Sequence, residues 1–281
     1  MRRLVVLGSA KGTPGVTTTA LALASVWPVA VDGGVRPVVV EAEAYGGDIA
    51  TRFALAYTPG LLDVAASARR PQPGSLLGAT QELPFGVRVV ATPSGLGQCG
   101  EAVRILGDHP EALAGGEGEE GTVFVDVGRL GPHAEGLVEA ADSMVLVARG
   151  GVDSLSHVFA HCDEQGTKAQ LITLLVIGPC GYRAEEIASA VGVGRVMFLP
   201  WDAAAARILA GRSRGPLRRD GLRSHRLLRA AGKVAGRLTA QDAWMGEGLS
   251  KHLTQAGLRS LPPLRSGEMG ELEKGEGGDG R

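Results

Sequence analysis

The chain is poor in aromatic residues, which make up 4% of it, and holds three cysteines, almost no net charge and no long apolar run. Each shortage argues against a class of protein. Cys99, Cys162 and Cys180 are odd in number, far apart and without C-x-x-C spacing, so neither a disulfide framework nor a thiolate zinc site is indicated. None of the six histidines pairs at metal-ligand spacing. A formal charge of −1 over 281 residues provides no global electrostatic case for nucleic acid. The first apolar run is interrupted at Gly8 and Lys11, too early for a secretory signal, and "ALALASVWPVAV" falls short of the ~20 residues that span a bilayer. A soluble cytoplasmic protein is expected.

What the chain does have is glycine, alanine and short β-branched runs. The runs fall at 3–8, 36–43, 87–92, 122–127, 143–149, 171–178 and 195–200. They are continuously apolar, as strands covered on both faces are. Between them lie segments of helical composition at 16–27, 98–107, 133–141, 152–165, 182–191 and 202–211. This alternation predicts an α/β fold: a doubly wound, mostly parallel sheet of about seven strands with helices on both faces. One domain is expected over 1–212, followed by a basic helical segment packed on it at 213–245. A Gly-, Pro- and Glu-rich tail at 246–281 has too little apolar material to fold. "GGEGEEG" (115–121) reads as an acidic surface loop.

The first strand runs into "KGTPGVTTTA", Lys11 to Ala20, and then into a helix. A glycine-rich turn at a helix start offers consecutive backbone N–H groups to an anion, with the helix dipole behind them. Gly12 and Gly15 leave room for a phosphate, and Thr17 stands where a hydroxyl would ligate Mg²⁺. The general pattern G-x-x-x-x-G-K-S/T is missed twice, at Ala10 and at Val16, which takes the lysine position. From the residues alone, three readings stand: a retained structural turn, a nucleotide site with little turnover, and a working ATPase.

A narrower pattern fits better. "KGTPGVTT" resembles the deviant Walker A motif, K-G-G-x-G-K-S/T-S/T, of the ParA/MinD family of P-loop ATPases. Lys11 matches its signature lysine, and Thr13 replaces its second glycine. "VVVEAEAYGGD" (38–48) resembles its switch I, with Glu41 and Glu43 at the acidic positions. "TVFVDVGRL" (122–130) resembles Walker B, four apolar residues then Asp126, with Gly128 and Arg129 at the switch II position, and "FLPWDAAAARILAGR" resembles the last strand, turn and helix beside the adenine. The family's purine-reading Asn has no counterpart in "VIGPCGYR".

The resemblance implies ATP or ADP with Mg²⁺ as cofactor, held by Gly12, Thr13, Pro14, Gly15, Val16, Thr17, Thr18, Pro200 and Asp202. It assigns catalytic roles to Lys11, Glu43 and Asp126, and metal roles to Thr17 and Asp126. It also implies a homodimer closed by ATP, in which each Lys11 reaches the partner's nucleotide. Asp202 has a second reading, as cap of the helix it precedes. Among branches of the family the atypical motif resembles the CpaE/TadZ-like organisers of pilus and secretion systems. The expected function is therefore a dimerising spatial organiser or assembly factor with weak or no hydrolysis. The alternatives are an active partition-type ATPase on nucleoid DNA and a nucleotide-independent pseudo-ATPase scaffold.

The basic segment at 212–240 places Arg219, Arg223, Arg226, Arg229, Lys233 and Arg237 on one helical face. It reads as a packed helix with a solvated cationic side, or as a contact for non-specific DNA or an anionic membrane. On the latter readings the protein would sit peripherally on nucleoid or membrane.

Overall fold

The computed structural model describes residues 1–12, 14–70, 75–95, 97–165, 169, 171–212 and 219–255, with backbone alone at 165, 219–220 and 241–255. The strands are β1 (Arg3–Ser9), β2 (Val38–Glu41), β3 (Gln81–Glu82), β4 (Arg88–Val90), β5 (Thr122–Arg129), β6 (Ser143–Arg149), β7 (Ile172–Ile177) and β8 (Arg195–Leu199). The α-helices are α1 (Val16–Val26), α2 (Ile49–Phe53), α3 (Leu61–Ala68), α4 (Gln98–Asp108), α5 (Glu111–Ala114), α6 (Glu135–Glu139), α7 (Val152–Gln165), α8 (Ala184–Val191), α9 (Ala203–Leu209), α10 (Arg219–Arg223) and α11 (Arg226–Gln255).

The strands form one sheet in the order β3-β4-β2-β5-β1-β6-β7-β8. Every pairing is parallel except β3 with β4. All seven expected strands are present. The eighth, β3, is two residues long and too short to leave a periodic signal.

Alternate residues of each central strand feed opposite cores, as the pleat requires. Leu4 and Val6 of β1, Val38 and Val40 of β2, and Leu174 and Val176 of β7 join one cluster with α3, α4 and α6–α8. Val5 and Leu7, Val39, and Leu175 and Ile177 join the other, with α1, α9 and α11. Burying each large apolar side chain contributes about 1.5–3 kcal/mol, so both faces must be covered for the sheet to form.

Leu222, Leu227, Leu228, Ala231, Val234, Ala235 and Leu238 are buried in the second core, while Arg223, Arg226, Arg229, Lys233 and Arg237 are exposed. The boundary expected at 245 falls inside α11, which runs on through Gly246 and Gly248 to Gln255; residues 256–281 lie outside the described residues. The first compact unit ends at Thr239, and the described part of the second, Ala240–Arg281, is the remainder of α11. The 115–121 loop is on the surface as expected, and Glu119 ties it down by an ion pair to buried Arg2 at 2.6 Å.

Candidate nucleotide site at the carboxyl edge of the sheet

In an open parallel sheet the crevice lies outside the carboxyl ends of the strands, where successive connections leave in opposite directions. Here β1 lies between β5 and β6, and its carboxyl end opens into α1. Gly15 caps that helix at φ 105°, a backbone conformation open to glycine and strained for other residues. Gly12 is likewise left-handed, at φ 73°. Thr19 closes the first turn, its N–H and its hydroxyl each donating to the Gly15 carbonyl at 2.9 Å. The Ser9 hydroxyl donates to the Gly128 carbonyl at 3.2 Å, fastening the loop to the end of β5.

These elements border a cleft of about 660 Å³. Of the residues expected to bind nucleotide, Gly12, Pro14, Gly15, Val16, Thr17, Thr18, Pro200 and Asp202 line it, as does Glu43. Thr13 lies outside the described residues. Val16 is only 5% exposed and packs in the core with Leu7 and Leu23, so the position contributes bulk and no charge.

Asp126 sits just below the lining, 1% exposed at the end of β5. One carboxylate oxygen accepts the Gly128 N–H at 3.0 Å; the other has no hydrogen-bond partner among the described residues. Burial raises its pKa, opposed by the Thr17 hydroxyl, the Gly128 N–H and the Arg52 charge. A buried carboxylate with an unsatisfied oxygen beside a hydroxyl is a donor set that fits Mg²⁺.

The two acids of the 38–48 segment behave differently. Glu41 is 2% exposed and accepts from backbone N–H groups of Asp48 at 2.8 Å, Ile49 at 3.0 Å and Thr92 at 3.1 Å. Its carboxylate therefore holds the start of α2 and the strand end after β4. Burial nonetheless pushes its pKa up to about 7. Glu43 is partly exposed, and its carboxylate packs so closely over Gly128 that a Cβ there would collide with it. Burial, then the nearby Asp126 charge, raises its pKa against the Tyr45 N–H.

Two expected residues are held in other ways. Lys11 lies off the lining, and its ammonium donates to Nε2 of His157 on α7 at 2.9 Å. An ammonium has no acceptor, so Nε2 must be unprotonated in this contact. Asp202 lines the cleft, yet one oxygen caps α9 through Ala205 N–H at 3.0 Å. The other faces Leu227 N–H at 3.4 Å and His225 at 3.7 Å. Burial raises its pKa, but these donors together outweigh it and the net shift is downward.

Arg129 follows Asp126 in the "TVFVDVGRL" stretch, whereas the cleft residues Arg52, Arg149 and Trp201 carried no site signal of their own in the sequence. Arg52 pairs with Asp48 at 2.6 Å. The Arg149 guanidinium stacks over the Trp201 ring, 4.3 Å from its centroid. The available signals were position alone: Arg149 ends a parallel strand, and Trp201 sits inside the L-P-x-D turn.

Sheet order, glycine turn and acidic strand end together define a P-loop type of α/β fold. Solved structures narrow it further: the fold is that of the ParA/MinD ATPases. The chain is similar to a ParA family ATPase from Chlorobium tepidum TLS (TM-score 0.62, 17% identity, covering 83% of this chain and 97% of that one). It is as similar to the septum site-determining protein MinD of Pyrococcus horikoshii OT3, complexed with Mg-ADP (0.62, 17%, 85% and 96%). The MinC:MinD cell division complex of Aquifex aeolicus also matches (0.61, 16%, 95% and 100%). No protein-family model and no curated protein sequence matches the chain. Among the described residues, no helix is long and apolar enough to cross a membrane.

Proposed function

We propose that this protein is a ParA/MinD-like binder of Mg-ADP and Mg-ATP that turns nucleotide over slowly or not at all and dimerises to organise a protein assembly. The observation that carries this reading is the buried Asp126 oxygen without a partner, beside the Thr17 hydroxyl and under a left-handed glycine turn. Thr17 and Asp126 would hold Mg²⁺, which supplies charge neutralisation at the phosphates when bound. The backbone N–H groups of the turn would orient the phosphates, and Glu43 over Gly128 would position water.

Val16 accounts for slow turnover. Losing one charge-assisted hydrogen bond costs about 1.5–3 kcal/mol, or about tenfold to a hundredfold in affinity. The loss weighs more on hydrolysis, where the charge develops in the transition state. Lys11 would return charge in a dimer after leaving His157. The CpaE/TadZ-like branch, with protein partners from a pilus or secretion system, suits such a weakened motif.

The test is calorimetric titration of the full chain with Mg-ATP and Mg-ADP, with mass followed in the same samples. Binding with ATP-dependent dimerisation supports the reading. No binding at millimolar nucleotide, with unchanged mass, would leave a nucleotide-independent scaffold. A second reading, a partition-type protein on nucleoid DNA, is favoured by the exposed cationic face of α10–α11.

A further inference from the structure

An anion in this cleft has to be held without a P-loop lysine, so its charge must come from elsewhere on the lining. Three guanidinium groups are there: Arg52, Arg129 and Arg149. Arg52 already has a carboxylate partner, Asp48 at 2.6 Å. Arg129 is exposed at the end of β5, and no ring or carboxylate is seen to hold its side chain among the described residues.

Arg149 differs from both. It is the last residue of β6 and pairs in register with Ile177 of β7. The Ile177 side chain lies 3.8 Å from where a Cβ on Gly15 would stand, so this end of the sheet abuts the glycine turn. Among the described residues, no carboxylate lies within ion-pairing distance of Arg149. Its partner is instead the face of Trp201, at 4.3 Å.

That partner leaves the charge intact and fixes its direction. A stacked guanidinium keeps its N–H donors in the plane, where a phosphate accepts them. The ring also restricts the long side chain before any ligand arrives, which lowers the ordering cost of binding. A lysine would offer a more strongly hydrated point charge and no planar fork. Trp201 is itself 54% exposed and lines the cleft, a large aromatic residue left in water with Arg149 over its ring.

We propose that Arg149, held in place by Trp201, is the polyphosphate-binding cation of this cleft and takes over the charge that Val16 lacks. The proposal rests on the nucleotide reading above and names the residue on which its affinity depends.

The experiment is equilibrium titration of the full chain with Mg-ADP, Mg-ATP and Mg-pyrophosphate, in wild type, Arg149→Ala, Arg149→Gln, Trp201→Ala and the distant surface variant Arg104→Ala. Arg149→Ala and Arg149→Gln are expected to weaken all three ligands by about tenfold to a hundredfold. Trp201→Ala should weaken them less, and Arg104→Ala should not change them. The glutamine variant keeps most of the side chain's bulk and serves if the alanine variant fails to fold. Wild-type affinity in both Arg149 variants would overturn the proposal and leave the nucleotide reading standing. Loss of ADP binding with pyrophosphate binding retained would put Arg149 on the base or ribose and overturn it too. A wild type that binds none of the three at millimolar concentration would remove the nucleotide reading, and this proposal with it.

Discussion

A lysine at position 16 would have to leave the core that the valine fills. Its stem could run along the glycine turn with the ammonium in the cleft, as long basic side chains do at an apolar boundary. Val16→Lys is therefore expected to lower stability by about 1–3 kcal/mol and to raise Mg-ATP affinity by about tenfold to a hundredfold. Denaturant titration and calorimetry on one preparation check both halves. Glu41 supports a pH prediction. Its carboxyl titrates near 4.5 when solvated and near 7 in the fold, where burial disfavours the charge. Between those values the folded protein keeps a proton that the unfolded chain has released. Folding is thus favoured at the lower end, and the advantage is lost as pH rises through about 7. Glu41→Gln has one acceptor oxygen for three backbone donors and should be less stable at every pH. Wild-type stability relative to Glu41→Gln should fall by on the order of 3 kcal/mol from pH 4.5 to above 7. A flat difference across denaturation curves in that range would show that Glu41 does not hold the proton.

Helix ends carry the next scale of the argument. Asp202 caps α9 through Ala205 and faces the first turn of α11 through Leu227, so one carboxylate ties together two helices that cover the same core. Asp202→Ala should cost about 1–2 kcal/mol, more than an exposed single cap, because both helices lose a partner. Amide exchange should speed up in the first turns of α9 and α11 together; faster exchange in α9 alone would limit the residue to one cap. The L-P-x-D turn made this cap legible from sequence, and the seven longer strands were legible because each is a continuous apolar run. The stretch between β2 and β4 was not. There α2 and α3 are five and eight residues long, too short for a helical repeat to declare itself, and α3 starts where Asp63 accepts the Gly60 N–H at 2.9 Å. The candidate site was legible where it is contiguous, at Gly12, Pro14–Thr18 and Asp126. Arg149 and Trp201 come together only through the sheet order β6-β7-β8, which no single sequence displays.

For the whole molecule, a net charge of −1 conceals a segregated field. Arg223, Arg226, Arg229, Lys233 and Arg237 are all exposed on one side of α10–α11, while the apolar side of the same segment is buried in the domain core. That arrangement separates the two polyanions such a face could meet. An amphipathic helix binds a bilayer by inserting its apolar side, and here residues 222–238 have none to offer without unfolding the core. DNA asks only for the charges, which release counterions as they neutralise phosphates. Binding to duplex DNA should therefore be sequence-independent and weaken steeply with salt. Five contacts would give a slope of log affinity against log salt near about −4.5, at about 0.9 per phosphate. Reversing Arg223, Arg226 and Arg229 to Glu should abolish binding at physiological salt. The milder triple Gln variant should leave a residual slope near about −2. All the reversed positions are exposed, so the folded state should tolerate the changes. Anionic vesicles supply the contrast: equal affinity for vesicles and DNA would mean that charge density alone is read. Wild-type DNA binding that ignores salt, or that survives the reversal, would assign the face to solvent.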